Sequence, residues 1–364
     1  MSKITTIATG LPQYKYPQST LFSFADKVYC KDEQDSRKLK FLYHQSGIDY
    51  RYSILPDFDT TNQLTNLFSH TNQGKPEADV GSRMQLYNLH APALSVSTIM
   101  ECIAGKLLAS QITHLITVSC TGMSAPGLDL QIMEQLNLPN TIARTSVNFM
   151  GCYAAIHALK IADAICNNDT KANVVIVCTE FCTLHFQTEP TTDNLTSSLL
   201  FADGCAAVLV QHDAAGVGIK LANFYSQVNS AGKNEMSWSI AATGFLMTLS
   251  GYIPELIKAD FEQLVANALA KTNQTKADIT QWCIHPGGKK IVDAIASSLQ
   301  IDKNEFSHAY QVLQECGNMS SPTILFVLKK ILNAVQQKAN PAEVIFGAAF
   351  GPGLTMETFT ATYG

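Results

Sequence analysis

Short runs of Val and Ile alternate with stretches of helical spacing along most of the chain. Thr113-His114-Leu115-Ile116-Thr117-Val118 forms one apolar run, Asp129 to Leu136 carries apolar residues at three- and four-residue intervals, and Val174-Val175-Ile176-Val177 is apolar without a break. An unbroken β-branched run marks a strand buried on both faces, and the wider spacing marks a helix with one buried stripe. The scheme returns towards the C-terminus. Phe261 to Leu269 reads as a helix, Trp282-Cys283-Ile284 as a strand, Ile291 to Leu299 as a helix and Val344 to Phe350 as a buried strand. Such alternation predicts an α/β layered fold. Two similar halves are expected to meet near residues 212 to 222, giving halves 1–215 and 216–364; a single undivided α/β domain is the alternative that the pattern leaves open. No low-complexity tract or Pro/Gly-rich linker interrupts the chain, so one compact core is expected.

The length of 364 residues is more than a single hydrophobic core usually serves, which agrees with two fused halves. With 46% hydrophobic and only 15% charged residues, part of the surface is expected to be covered by another subunit. The 25 basic and 30 acidic side chains give a net charge of -5 without a Lys/Arg stripe, which argues against nucleic-acid binding. Ten cysteines are present, but Met1-Ser2-Lys3-Ile4-Thr5 lacks the charged-then-apolar run of a secretory signal, so reduced thiols in a cytoplasmic protein are expected. No CxxC pair occurs, so no structural zinc is expected, and no apolar stretch approaches the roughly 20 residues of a membrane span.

Three segments carry candidate chemistry. Asn148-Phe149-Met150-Gly151-Cys152-Tyr153-Ala154 places a thiol at the start of an Ala-rich helix, where the helix dipole would lower its pKa from about 8.5 and favour the nucleophilic thiolate. A packing role for a buried cysteine is the alternative. His285, in Ile284-His285-Pro286-Gly287-Gly288, stands where a strand runs into a loop, a place where α/β folds expose reactive groups; alone it could equally be a structural imidazole. Asn318, in Gly317-Asn318-Met319-Ser320-Ser321, precedes a helix expected over Pro322 to Leu332 and could simply cap it.

Together with Phe350-Gly351-Pro352-Gly353-Leu354-Thr355, these segments resemble, in order and spacing, the signature set of the type III polyketide synthases, the chalcone and stilbene synthase superfamily. The likeness spans essentially the whole chain and is closest to the microbial members. It implies a thiolase fold, two similar α/β halves packed as a five-layered αβαβα core, and a homodimer. It also implies an acyltransferase that takes an acyl-CoA starter onto Cys152, decarboxylates malonyl-CoA, and uses His285 and Asn318 to stabilise the developing oxyanion. No metal or redox cofactor is implied; CoA thioesters are the substrates.

The resemblance further assigns Phe201 as a gatekeeper between CoA tunnel and cavity, and Met247 stands where plant enzymes carry a second gatekeeper Phe. Trp238 takes the place of a cavity glycine, Cys182 and His185 those of cavity threonines, and Cys120, Thr121 and Ser320 fall on the cavity wall. Ala125 replaces a methionine that plant enzymes push across the dimer interface. Of three basic CoA contacts on an N-terminal helix only Lys38 is kept, with Phe41 and Gln45 at the other places; Lys289 and Lys290, following Gly287 and Gly288, are the compensating candidates. A product other than chalcone is expected, an alkylpyrone or alkylresorcinol. The alternatives are an initiating ketoacyl synthase acting on acyl carrier protein, a non-catalytic partner subunit, and a cysteine hydrolase.

Overall fold

The computed structural model describes residues 1–59, 67–68, 78–212, 218–337 and 343–364; the boundary expected at 215/216 lies outside them. The strands are β1 (Ser2–Gly10), β2 (Tyr14–Pro17), β3 (Tyr50–Ser53), β4 (His114–Ser119), β5 (Ala143–Asn148), β6 (Asn173–Phe181) and β7 (Asp203–His212). They continue as β8 (Ile219–Val228), β9 (Met236–Ala241), β10 (Gly244–Leu249), β11 (Gln281–Ile284), β12 (Glu343–Gly351) and β13 (Thr355–Tyr363). The helices are α1 (Gln18–Tyr29), α2 (Glu33–Gln45), α3 (Val80–Ile103), α4 (Leu128–Gln135) and α5 (Ala154–Asn168). After them come α6 (Thr192–Leu200), α7 (Ile253–Leu269), α8 (Lys289–Leu299), α9 (Ser307–Cys316) and α10 (Thr323–Gln336).

Nine strands form one mixed sheet in the order β11-β12-β13-β8-β1-β7-β6-β4-β5. The pairs β4–β5, β4–β6 and β11–β12 are parallel, and the strands β4, β6 and β11 are buried almost throughout, as parallel strands covered on both faces are; β5 is the exposed edge. The two halves of the sheet join where β1 meets β8, through Lys3 opposite Lys220 and Ile4 opposite Ile219.

Alternate residues of the strands serve different cores. In β6, Val174, Ile176 and Cys178 pack in a central cluster, while Val175, Val177 and Phe181 pack against an outer cluster with α1, α2 and α3. In β12, Ile345 and Ala349 face the same central cluster, while Phe346, Ala348 and Phe350 face a third cluster under α7 and α8. The central cluster contains α5 and α10, so the layers run helix, sheet, helix, sheet, helix, the thiolase arrangement. Helix α5 fits between the sheets because Ala154, Ala155, Ala158 and Ala162 keep its inner surface small. Helix α10 is buried continuously from Thr323 to Leu328, and it runs past the expected end at Leu332 because Asn333-Ala334-Val335-Gln336 contains no breaker. The remaining strands form two small antiparallel pairs, β2–β3, joined through α1 and α2, and the hairpin β9–β10, which closes over the cavity described next.

Candidate active site

One cavity collects Cys152, His285 and Asn318 at the ends of three separate elements. Cys152 lies in the turn from β5 to α5 and is 8% exposed. Gly151 makes that turn at φ +87°, and its α-carbon is pressed against Pro352: a β-carbon there would lie 2.3 Å from the proline ring. The Phe-Gly-Pro-Gly loop is thus the floor under the nucleophile turn. Gly151→Ala combines a disfavoured backbone with this overlap, and a stability loss of about 1–3 kcal/mol is expected in denaturant titration; an unchanged midpoint with full activity would show that Pro352 yields freely.

His285 directly follows β11, its N–H donating to the Ala348 carbonyl of β12 (2.9 Å), and its side chain is 1% exposed. Neither ring nitrogen finds a hydrogen-bond partner among the described residues. Burying two unsatisfied polar atoms is costly and points to a substrate-facing role. Asn318 is not a helix cap, since Pro322 occupies that position before α10. Its Oδ1 accepts from the Ser320 N–H (2.8 Å) and its Nδ2 donates to the Gly287 carbonyl (3.1 Å), which leaves one amide hydrogen for the cavity. Gly317, at φ +71°, makes the turn that brings this amide in behind α9.

The sequence led us to expect a lowered thiol pKa at Cys152. The structure reverses this: burial pushes the thiol up to about 12, against the smaller opposing pull of hydrogen bonds from Ser320 and Asn318. Burial also lowers His285 to about 3. Burial of the two side chains outweighs the helix-end effect and favours the neutral form of both thiol and imidazole.

Cys120, Thr121, Cys182, His185, Phe201, Trp238, Met247 and Ser320 all line this cavity. Ser320 Oγ lies 3.5 Å from Cys152 Sγ and 3.3 Å from Cys120 Sγ. His185 holds a single tautomer: Nδ1 accepts from the Phe245 N–H (3.0 Å), so Nε2 donates to the Thr121 carbonyl (2.8 Å). Its ring stacks on Phe245 at 4.2 Å, and burial lowers its pKa to about 3. Trp238, directly opposite Met247 in the β9–β10 hairpin, donates its indole N–H to the Cys120 carbonyl (2.7 Å). His185 and Trp238 therefore pin successive carbonyls of one wall.

Two groups escaped the sequence reading. Glu180, fully buried at the end of β6, accepts from the Cys120 N–H and Sγ, Thr121 Oγ1 and Ser321 Oγ, and burial raises its pKa. A carboxylate ending the apolar run Val174 to Cys178 is the signal that could have found it. The second is an arm of the cavity lined by Tyr16, Leu21, Phe24 and Phe58 from the N-terminal segment. The expected CoA contacts are placed differently. Gly287 lines the cavity, but Lys38, Lys289 and Lys290 are exposed outside it, and Gly288 is buried at the head of α8. The Lys289 stem packs on Gly47, so the end of α2 and the head of α8 adjoin.

A thiolase fold that buries a cysteine, a histidine and an asparagine in one enclosed cavity defines the class: a condensing acyltransferase. The N-terminal-domain model of the chalcone and stilbene synthases matches residues 1–214, and the C-terminal-domain model matches residues 222–362. The chain belongs to this family of type III polyketide synthases. It is 29% identical over 97% of its length to the alpha-pyrone synthesis polyketide synthase-like Pks18 of Mycobacterium tuberculosis, covering 89% of that protein. It is 26% identical to type III polyketide synthase A of Arabidopsis thaliana, over 98% of this chain and 91% of the other. The crystal structure of PKS-I from the brown alga Ectocarpus siliculosus superposes with a TM-score of 0.91 at 25% identity, covering 100% of this chain and 98% of that one. Among the described residues no helix is long and apolar enough to cross a membrane.

Proposed function

We propose that this polyketide synthase loads an acyl group from an acyl-CoA onto Cys152 and extends it iteratively with malonyl-CoA, releasing an alkylpyrone or alkylresorcinol. The observation that carries the reading is the buried imidazole of His285, without a hydrogen-bond partner among the described residues, sharing a cavity with Cys152 and with the Asn318 amide that hydrogen-bonds its thiol.

In the loading step the Cys152 thiol passes its proton to His285 as sulfur attacks the thioester carbonyl, and CoA leaves as the thiol after taking that proton. Malonyl-CoA then loses carbon dioxide. The electron pair of the broken carbon–carbon bond passes into the thioester as an enolate, whose oxygen receives hydrogen bonds from His285 and Asn318. The enolate carbon attacks the acyl carbonyl on Cys152, the carbon–sulfur bond breaks and the Cys152 thiolate is released. That thiolate then attacks the thioester of the extended chain, now on CoA, and expels CoA before the next round. Because the departing carboxylate supplies the electrons, we assign no metal or redox cofactor. In this division of labour the half 1–215 carries the nucleophile and the half 216–364 carries His285 and Asn318.

Phe201 and Met247 act as gatekeepers, and Trp238, Cys182, His185, Cys120, Thr121 and Ser320 shape the chain-folding space. The apolar arm at Leu21, Phe24 and Phe58 suits an aliphatic starter, in keeping with the pyrone synthesis in the name of the mycobacterial relative. Lys38, Lys289 and Lys290, with Gly287 and Gly288, receive CoA at the entrance, and the enzyme acts in the cytoplasm.

Incubation with malonyl-CoA and acyl-CoA starters from acetyl to long-chain and aromatic is expected to give products extended by two or three malonyl units, read by mass spectrometry. Release of CoA without extension, or condensation only in the presence of acyl carrier protein, would favour the ketoacyl synthase instead.

We further propose a homodimer across the β5 edge of the sheet. Ala143, Arg144, Thr145 and Ser146 are exposed on that strand, and the exposed Leu89 and Met123 lie on α3 and on the loop after β4. An uncovered edge strand flanked by apolar side chains invites a symmetric partner. Light scattering on the eluting protein should give twice the 39.6 kDa chain mass; a monomer at micromolar concentration would contradict the interface.

A further inference from the structure

The last turn of α6 ends at Phe201, and each carbonyl it leaves free meets a donor from elsewhere in the chain. Tyr43 Oη of α2 donates to the Ser198 carbonyl (3.1 Å), and Gln18 Nε2 of α1 donates to the Leu199 carbonyl (2.8 Å). The Asn318 N–H donates to the Leu200 carbonyl (2.9 Å), and Arg51 Nη1 of β3 donates to the Phe201 carbonyl (2.6 Å). A helix end ordinarily leaves these carbonyls to water or to a cap. Here they tie α6 to the loop that carries Asn318, and the tie is reciprocal, since the Ala202 N–H donates to the Asn318 carbonyl (2.9 Å).

Arg51 is the unusual member. It is 4% exposed and forms no ion pair with a carboxylate among the described residues. Nε donates to Gln18 Oε1 (2.9 Å), which sets the plane of the guanidinium. Its stem lies against Gly317, where a β-carbon would come within 2.8 Å of Arg51 Cγ. Burying a guanidinium for packing alone is costly when Met or Leu would fill the space. Arg51 instead touches both sides of the Phe201–Asn318 bridge: the Phe201 carbonyl by hydrogen bond and the Gly317 turn by contact.

We propose that Arg51 is a positioning residue for chain extension, fixing the Phe201 peptide and, through the bridge, the amide of Asn318; this rests on the extension reading above. The backbone of Cys152 is braced separately by Gly151 and Pro352, and Ser320 as well as Asn318 hydrogen-bonds its thiol, so loading should respond less than extension.

The test compares wild type, Arg51→Met and Arg51→Lys in two assays on folded protein: single-turnover acylation of Cys152 from an acyl-CoA, by intact-protein mass, and the rate of malonyl extension. Arg51→Met should acylate within about twofold of wild type and extend roughly 10–100-fold more slowly, the scale of a reacting group misplaced by about an ångström. Arg51→Lys should recover part of the extension rate, because an ammonium still supplies one donor. A folded Arg51→Met that extends at the wild-type rate, or that loses acylation and extension by the same factor, overturns the proposal. Should Arg51→Met fail to fold, Gln18→Leu carries the test, as it unhooks Nε and frees the Leu199 carbonyl without touching Gly317. It should show the same split at smaller size, and parallel losses or none would overturn the role. A wild-type protein that acylates but never extends contradicts the functional reading itself, and with it this role.

Discussion

Cys152→Ala is expected to abolish acyl-enzyme formation and to lower product formation by about 10^3-fold or more, the scale on which enzymes lose activity when their nucleophile is removed. Two other thiols line the same cavity, yet neither is placed to substitute. Cys120 Sγ is bound to Glu180 Oε1 (3.1 Å), and burial beside that carboxyl pushes its pKa well up. Cys182 is raised in the same way. Burial raises Cys152 too, but of the three thiols it is the one at the head of α5, where hydrogen bonds from Ser320 and Asn318 oppose that rise. Alanine removes only a small sulfur at an 8% exposed position, so the variant should fold. Sustained product synthesis by Cys152→Ala would end the proposed mechanism.

Asn318→Ala should slow extension by roughly 100-fold, about 3 kcal/mol of transition-state stabilisation, while Cys152 still acylates. The substitution also leaves the Ser320 N–H and the Gly287 carbonyl without their partners, a stability cost of about 1–3 kcal/mol. The two effects separate in Asn318→Asp. An aspartate held neutral by the burial of this site still accepts from Ser320 but carries one hydrogen in place of two, which the Gly287 carbonyl claims, so much of the stability should return without the rate. Melting curves beside extension rates decide the matter: a fast Asn318→Asp would mean that the amide hydrogen does no catalytic work.

Much of the layering was legible because buried strands announce themselves locally. The run Val174 to Val177 became the core of β6, and Trp282 to Ile284 fell within β11. The convergence of Cys152, His285 and Asn318 was readable only through the motif set, since no local rule brings together residues 133 and 33 positions apart in sequence. What escaped depends on sums over the folded environment. The helix-end argument at Cys152 was sound in sign, but it could not weigh the desolvation that outruns it. Asn318 looked like a cap because its segment precedes a helix; Pro322 takes that place, and the amide is freed for Gly287 and the cavity. Glu180 and Arg51 were invisible because each draws its meaning from partners on distant elements, such as Ser321 for one and Phe201 for the other. Helix α7 begins at Ile253, well before the expected Phe261: Ile253, Leu256 and Ile257 continue the buried stripe, and Pro254, which a helix tolerates in its first turn, conceals the start.

The most direct measurement is to mix the protein with an acyl-CoA and malonyl-CoA, quench within a turnover, and map the covalent adducts by mass spectrometry of peptides. The account predicts the starter and its successively extended ketide forms on the peptide containing Cys152 and nowhere else. Adducts on Cys120 or Cys182, or a chain on Cys152 that never grows in the presence of malonyl-CoA, would contradict it.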